Sequence, residues 1–198
     1  MNKITSLIVI VAVCLIALLF ILSPAGYKPP DPVLTEETIE SWKLFDDPSV
    51  NYQASFPTVP KTASNNALDP KTRQLRIYKL YAAEALNGTL FLITEIQFPG
   101  DYNPNLDPTL LETIVSELVA NGPTNSLKNM TQLQYNGMEA LKFTIENDTN
   151  MVIMGLAFIH EQSVFILSRA STADKVNQNE FEYFVKSFKF KTPSTEVK

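Results

Sequence analysis

The stretch Met151–Ser168, "MVIMGLAFIHEQSVFILS", decides how this chain is built. Two apolar runs, Met151–Ile159 and Val164–Ser168, flank His160-Glu161-Gln162-Ser163, a link short enough to demand antiparallel neighbours. In a strand, successive side chains point to opposite faces, so a strand half-exposed to water alternates apolar with polar. Neither run alternates: both side-chain parities are apolar, so both faces of the sheet must be covered here. The rest of the chain has to supply an antiparallel sheet and a cover for each side of it.

Working outward, strands are expected at 126–135, 138–147, 150–160 and 163–171. Asn136-Gly137, the Asn147–Asn150 turn and Glu161-Gln162 join them into a meander. Upstream, "QLRIYKLYAAEALNGTLFLITEIQFPG" reads as two more strands around Asn87-Gly88, a turn whose two positions both tolerate positive φ. "WKLF" and "VNYQASFP" are strand-like, with Tyr52, Ala54 and Phe56 alternating along the second. "TVPKTASNNALDPKT" is polar, holds two prolines and lacks a period, so it reads as a surface loop. "LTEETIES" reads as a short helix capped by Thr35.

Two helices are available as covers. In 108–121, Leu110, Leu111, Ile114, Val115, Leu118 and Val119 form one stripe, with Asp107 as N-cap, Pro108 at the first position and Gly122-Pro123 as the stop. In "NQNEFEYFVKSFKF", Phe181, Phe184, Val185 and Phe188 fall at helical spacing. The expected fold class is α+β: an antiparallel meander sheet with helices on both faces, an α/β/α sandwich.

The N-terminus sets the compartment. Leu7–Leu22 is an unbroken run of sixteen apolar residues, and residues 4–22 as a helix span about 28 Å, close to a hydrocarbon core of about 30 Å. A retained single-pass anchor in the lipid bilayer is expected over 1–25. A signal segment cleaved after Ala25 is the alternative, since Ser23 and Ala25 are small. Cys14 is preceded by Val13 and followed by more apolar residues. It therefore reads as a small apolar residue of the anchor rather than a lipid-attachment site. "GYKPPDPV" supplies a proline-rich linker over 26–34, and Lys3 before the run favours a cytoplasmic N-terminus. The domain, 35–191, then lies on the non-cytoplasmic side of the cell membrane, and a disordered tail occupies 192–198.

The chain has 198 residues with a formal net charge of −5 and no Lys/Arg cluster, which argues against nucleic-acid binding. Its single cysteine precludes an intramolecular disulfide, so packing must supply the stability.

No catalytic, cofactor-binding or metal residues are assigned. His160 is the only histidine, too few for a His-rich metal site, and reads as a surface residue at a hairpin end. Gly-x-Ser-x-Gly, phosphate-cradling loops, the dinucleotide fingerprint and His-Glu-x-x-His are all missing from the sequence, and Asp46-Asp47 reads as a solvated turn. In "DYNPNLDPTLLE", Asp101, Asn103, Asn105, Asp107, Thr109 and Glu112 match the register of a twelve-residue calcium loop. Leu106 stands where glycine is wanted, however, and Pro104 and Pro108 stiffen the path, so turn and cap roles are the expectation. Asn-x-Thr sequons occur at Asn87, Asn129 and Asn147.

Several short pieces carry a family resemblance: Tyr52-Gln53-Ala54-Ser55-Phe56-Pro57, Phe98-Pro99, Gly137-Met138-Glu139-Ala140, Val164-Phe165-Ile166-Leu167 and Phe184-Val185-Lys186-Ser187-Phe188. In this order, over about residues 42–190, the chain resembles the PsbP-like superfamily, α/β/α sandwiches related to an extrinsic subunit of photosystem II. The resemblance implies a non-catalytic extracytoplasmic accessory domain and transfers no metal-binding or photosystem-contacting residues. The expected function is a membrane-anchored accessory or interaction module without cofactor or enzymatic activity, whose partner is another membrane or extracytoplasmic protein. The alternatives are a secreted form of the same domain, or a small-ligand or lipid carrier with Phe91, Phe158 and Phe165 lining a pocket.

Overall fold

The structure is a computed structural model and describes residues 39–68, 75–100 and 102–191. A 3-10 turn, Ile39–Ser41, leads into ten strands and two α-helices. They run β1 (Lys43–Phe45), β2 (Tyr52–Phe56), β3 (Lys61–Leu68), β4 (Leu75–Glu84), β5 (Leu90–Gln97), α1 (Leu110–Ala120), β6 (Ser126–Tyr135), β7 (Met138–Glu146), β8 (Met151–His160), β9 (Ser163–Thr172), α2 (Gln178–Ser187) and β10 (Lys189–Phe190). The strands form two antiparallel sheets: a main one of seven strands, ordered β3-β4-β5-β9-β8-β7-β6, and a small one ordered β1-β2-β10. The expected meander, β6 to β9, is present to within a residue at each end.

The opening stretch does what its parity required. Phe165 and Leu167 of β9 join Leu156 and Phe158 of β8 on one face, packed with Phe181, Phe184 and Phe188. Val164 and Ile166, with Ala157, turn to the other face and meet Leu110, Ile114 and Val115 of α1. Each fully buried phenylalanine contributes roughly 1.5–3 kcal/mol through removal from water. Several also meet edge-on or stacked, as Phe158 and Phe165 do at 5.6 Å between centroids. Gly155 is required by this packing, because a Cβ there would lie 2.1 Å from Cζ of Phe143 on the adjacent strand.

The cover on the α2 side departs from expectation. The helix shares that face with the small sheet, whose Tyr52, Ala54 and Phe56 are fully buried in the same cluster. The C-terminal helix also stops earlier than its pattern suggested. Phe188 turns extended (φ −70°, ψ 126°), and Lys189–Phe190 pair with Gln53 and Tyr52 of β2. The apolar period carried Phe188 into the core in either conformation, so periodicity alone could not mark the end.

A second correction concerns the expected loop at 58–72. Residues Lys61–Leu68 form β3, paired along their length with β4. It is an edge strand of small and polar residues, and its half-buried positions, Ala63, Asn65 and Ala67, alternate with exposed ones. An edge needs no large apolar side chains to be held by a ladder on one side.

Turn chemistry was mixed. Asn136 and Gly137 both take positive φ (50° and 81°), as a two-residue hairpin requires. At the other Asn-Gly only Gly88 does (φ 80°), and the Ala85 N–H donates to the Thr89 carbonyl across a longer loop. Asp107 is not the helix N-cap. It lies two residues before Thr109 and accepts hydrogen bonds from the Thr109 N–H and hydroxyl at 3.0 and 2.9 Å, shaping the turn that starts α1, with Pro108 inside that turn.

Among the described residues no helix is long and apolar enough to cross a membrane. The expected anchor over 4–22, Cys14, the 26–34 linker, the Thr35 cap and the 192–198 tail lie outside the described residues.

Candidate functional site

The most open part of the main sheet is β6. Among the described residues its ten positions pair with β7 only, and residues 126–132 are exposed whichever face they point to. The Asn136-Gly137 turn fixes which backbone groups are used. In a two-residue hairpin the residues flanking the turn exchange both bonds, and bonded pairs then alternate. Tyr135, Leu133 and Thr131 accordingly bond inward to Met138, Ala140 and Lys142. The N–H and C=O groups of Gln134, Gln132 and Met130 point away from the sheet. A register shift between Leu127 and Asn129 interrupts the ladder at the strand's beginning.

A groove lies on each side of this strand. On the α2 side, one of about 390 Å³ is floored by Leu133, Lys142 and Leu156 and walled by Phe181 and Val185. It exists because α2 covers β8 and β9 and stops short of the sheet edge. Tyr135 ties the helix to the strand: its hydroxyl donates to the Val185 carbonyl at 2.8 Å, which also accepts the Phe188 N–H, and the Phe188 carbonyl lies 3.3 Å away. Burial pushes the Tyr135 phenol up to about 12. On the α1 side, a groove of about 260 Å³ is bounded by Pro108, Leu111 and Glu112 from the helix entry and by Gln132, Gln134 and Glu139 from the hairpin.

The sequence reading missed Arg169, which is 1% exposed in the middle of β9. Its guanidinium meets Glu180 Oε2 of α2 through Nε (3.1 Å) and Nη2 (2.9 Å), donates to Ser171 Oγ at 2.7 Å and reaches the Lys175 carbonyl. These partners engage all three of its nitrogens, so the cluster bolts α2 to the sheet. A lone arginine in a strand with no other charge was the available signal, because such a charge must be buried with a partner.

The singled-out residues fall as follows. His160 ends β8 and stacks on Phe190 (3.6 Å between centroids), which makes it part of the seam with the small sheet as well as a hairpin-end residue. Asp101 lies outside the described residues. Of its neighbours in the calcium register, Asn103 accepts from the Asn105 N–H at 3.1 Å, Asn105 reaches the Glu161 carbonyl and Asp107 shapes the helix entry. Among the described residues no group of three or more His, Cys, Asp or Glu could hold a metal. Asp46 pairs with Lys191 Nζ at 2.7 Å, and Asp47 is held below the usual carboxylate range by hydrogen bonds from Ser49, so this turn fastens the C-terminal end of the domain. Phe91, Phe158 and Phe165 are buried in the core and line neither groove. Asn87 and Asn147 spend their side-chain oxygens inside turns, whereas Asn129 is exposed on β6.

No protein-family model matches the sequence, and no curated protein matches it. Among solved structures, the solution structure of cyanobacterial PsbP (CyanoP) from Synechocystis sp. PCC 6803 is similar, with a TM-score of 0.53 and 11% identity. The match covers 84% of this chain and 99% of that one. Sequence identity this low speaks to architecture alone, and the architecture agrees with the order of short motifs in the sequence: the chain has a PsbP-like fold.

Proposed function

We propose that the chain is a membrane-anchored interaction module, working outside the cytoplasm and without catalysis of its own. The observation that carries this reading is the open β6 flank: a ten-residue strand that, among the described residues, is paired on one side only and lies between two grooves. Two polar side chains of the kind chemistry uses are engaged elsewhere, Arg169 in an ion pair and His160 in a ring stack. The apolar run over residues 4–22 supplies the tether to the lipid bilayer, and the proline-rich 26–34 segment supplies a semi-rigid spacer. Holding the domain at the membrane surface raises the effective concentration of a membrane-bound partner, so a modest intrinsic affinity suffices. The expected partner is therefore another membrane or extracytoplasmic protein, the accessory role that a PsbP-like resemblance implies.

The test is fractionation followed by capture. The full chain should sediment with membranes, resist high-salt extraction and be digested by protease added from the non-cytoplasmic side. It should also co-purify in mild detergent with a membrane or exported protein. Recovery of a soluble chain beginning at Gly26 would establish the secreted form and remove the anchored reading.

A further inference from the structure

We infer that the β6 edge accepts an extended strand from a partner protein, and that this strand alternates apolar with basic side chains. The inference rests on the interaction-module reading and names the partner's chemistry. Its first ground is the backbone: the N–H and C=O groups of Met130, Gln132 and Gln134 point outward, in the spacing that an added strand satisfies. Its second is that the grooves lie on opposite faces of the same few residues. Gln134 and Leu133 border both, so a strand laid beside them sends successive side chains alternately into each.

The grooves differ in chemistry, and that difference specifies the occupant. The α2-side groove has an apolar body of Leu133, Leu156, Phe181 and Val185, which suits apolar side chains, while Lys142, Glu182 and Lys186, of both signs, also line it. The α1-side groove carries the carboxylates of Glu112 and Glu139 and no cation in its lining, and neither is ion-paired among the described residues. Lysine or arginine on that face meets opposite charge, and glutamate would meet like charge. A second copy of β6 answers this poorly. Its one charged residue is Lys128, at the interrupted end of the strand, and its α1-side positions Met130, Gln132 and Gln134 are neutral.

The probe is a blocked, fluorescein-labelled peptide of sequence Thr-Val-Lys-Val-Arg-Val-Lys-Thr, titrated with the full chain in mild detergent and read by anisotropy. Saturable binding is expected. Replacing its basic residues by glutamate should weaken binding at least about fivefold, and N-methylating alternate backbone amides should abolish it. Gln132→Pro, at a position whose N–H faces away from the ladder, should also abolish binding. The double variant Glu112→Lys/Glu139→Lys should reverse the preference toward the glutamate peptide, and this reading survives even where Gln132→Pro impairs folding. Equal binding of the N-methylated peptide, indifference to charge, or no saturation at millimolar concentration would overturn the inference. So would a concentration-dependent dimer that Gln132→Pro dissolves, since β6 would then belong to a second copy. Peptide binding in detergent does not depend on where the chain resides, so its failure and a failure of membrane fractionation are told apart.

Discussion

Strands β9 and β6 belong to one sheet and have the same length, ten residues, yet share almost nothing else. Nine of the ten positions in β9 are buried, among them a charged one, Arg169; in β6 no position is fully buried. Strand order explains the difference. β9 is held between β5 and β8 with a helix on each side of the sheet, and among the described residues β6 has a neighbour on one side only. Hydrogen-bonded strand geometry therefore does not itself set what a residue contributes. In β9 a side chain is part of the core, and in β6 it is part of the surface.

Three substitutions test that contrast. The largest effect is expected at Phe165→Ala. The ring is 1% exposed and touches Phe158, Tyr52 and Phe188, and truncation of such a phenylalanine destabilises by about 3–5 kcal/mol. Urea unfolding of the full chain in detergent, followed by tryptophan fluorescence, measures it; a loss under about 1 kcal/mol would mean that β9 is not the packed centre.

Next is Glu180→Ala, which strips from a buried guanidinium the carboxylate oxygen that accepts two of its hydrogen bonds. The expected loss is about 2–4 kcal/mol, because an uncompensated buried charge destabilises more than the intact pair stabilises. The same unfolding curve checks it, and Glu180→Asp, with a shorter reach, should fall between. The smallest effect is expected at Gln132→Ala in β6, within about 0.5 kcal/mol of the parent. A loss comparable to that at Phe165 would show β6 to be buried by something else and close the edge to a partner.

Legibility in the sequence followed the same division. Where burial is heavy the pattern was unambiguous: the two-parity runs of β8 and β9 and the 110–119 stripe gave strands, helix and faces directly. The Asn136-Gly137 turn was legible because its backbone demands those residues. β3 escaped because an edge strand of alanine, serine and asparagine has no apolar period to detect. β10 escaped for another reason: two residues become a strand only through pairing with β2, far away in sequence. The β6 flank could not have been found from its own residues. Its openness depends on where α2 stops and on which strand lies at the edge, both products of the tertiary fold. Arg169, by contrast, was announced as the one charge in its strand.

The route from β5 to β6 constrains how the chain reaches this state. β5 ends near the middle of the main sheet, the chain then crosses one face as α1, and β6 begins at the far edge. The sheet cannot grow strand by strand in the order of synthesis. The β3-β4-β5 and β6-to-β9 segments each close through local hairpins, and one long-range seam, Leu90 with Ala170 through Gln97 with Ser163, joins them. Until it closes, β5 and β9 both expose apolar edges, and loop-closure entropy makes such non-local pairing the slow event. For a nascent chain emerging from a ribosome or a translocon, β5 is complete long before β9 exists. The interval between them is when a chaperone, or a neighbouring nascent chain, has an apolar edge to bind.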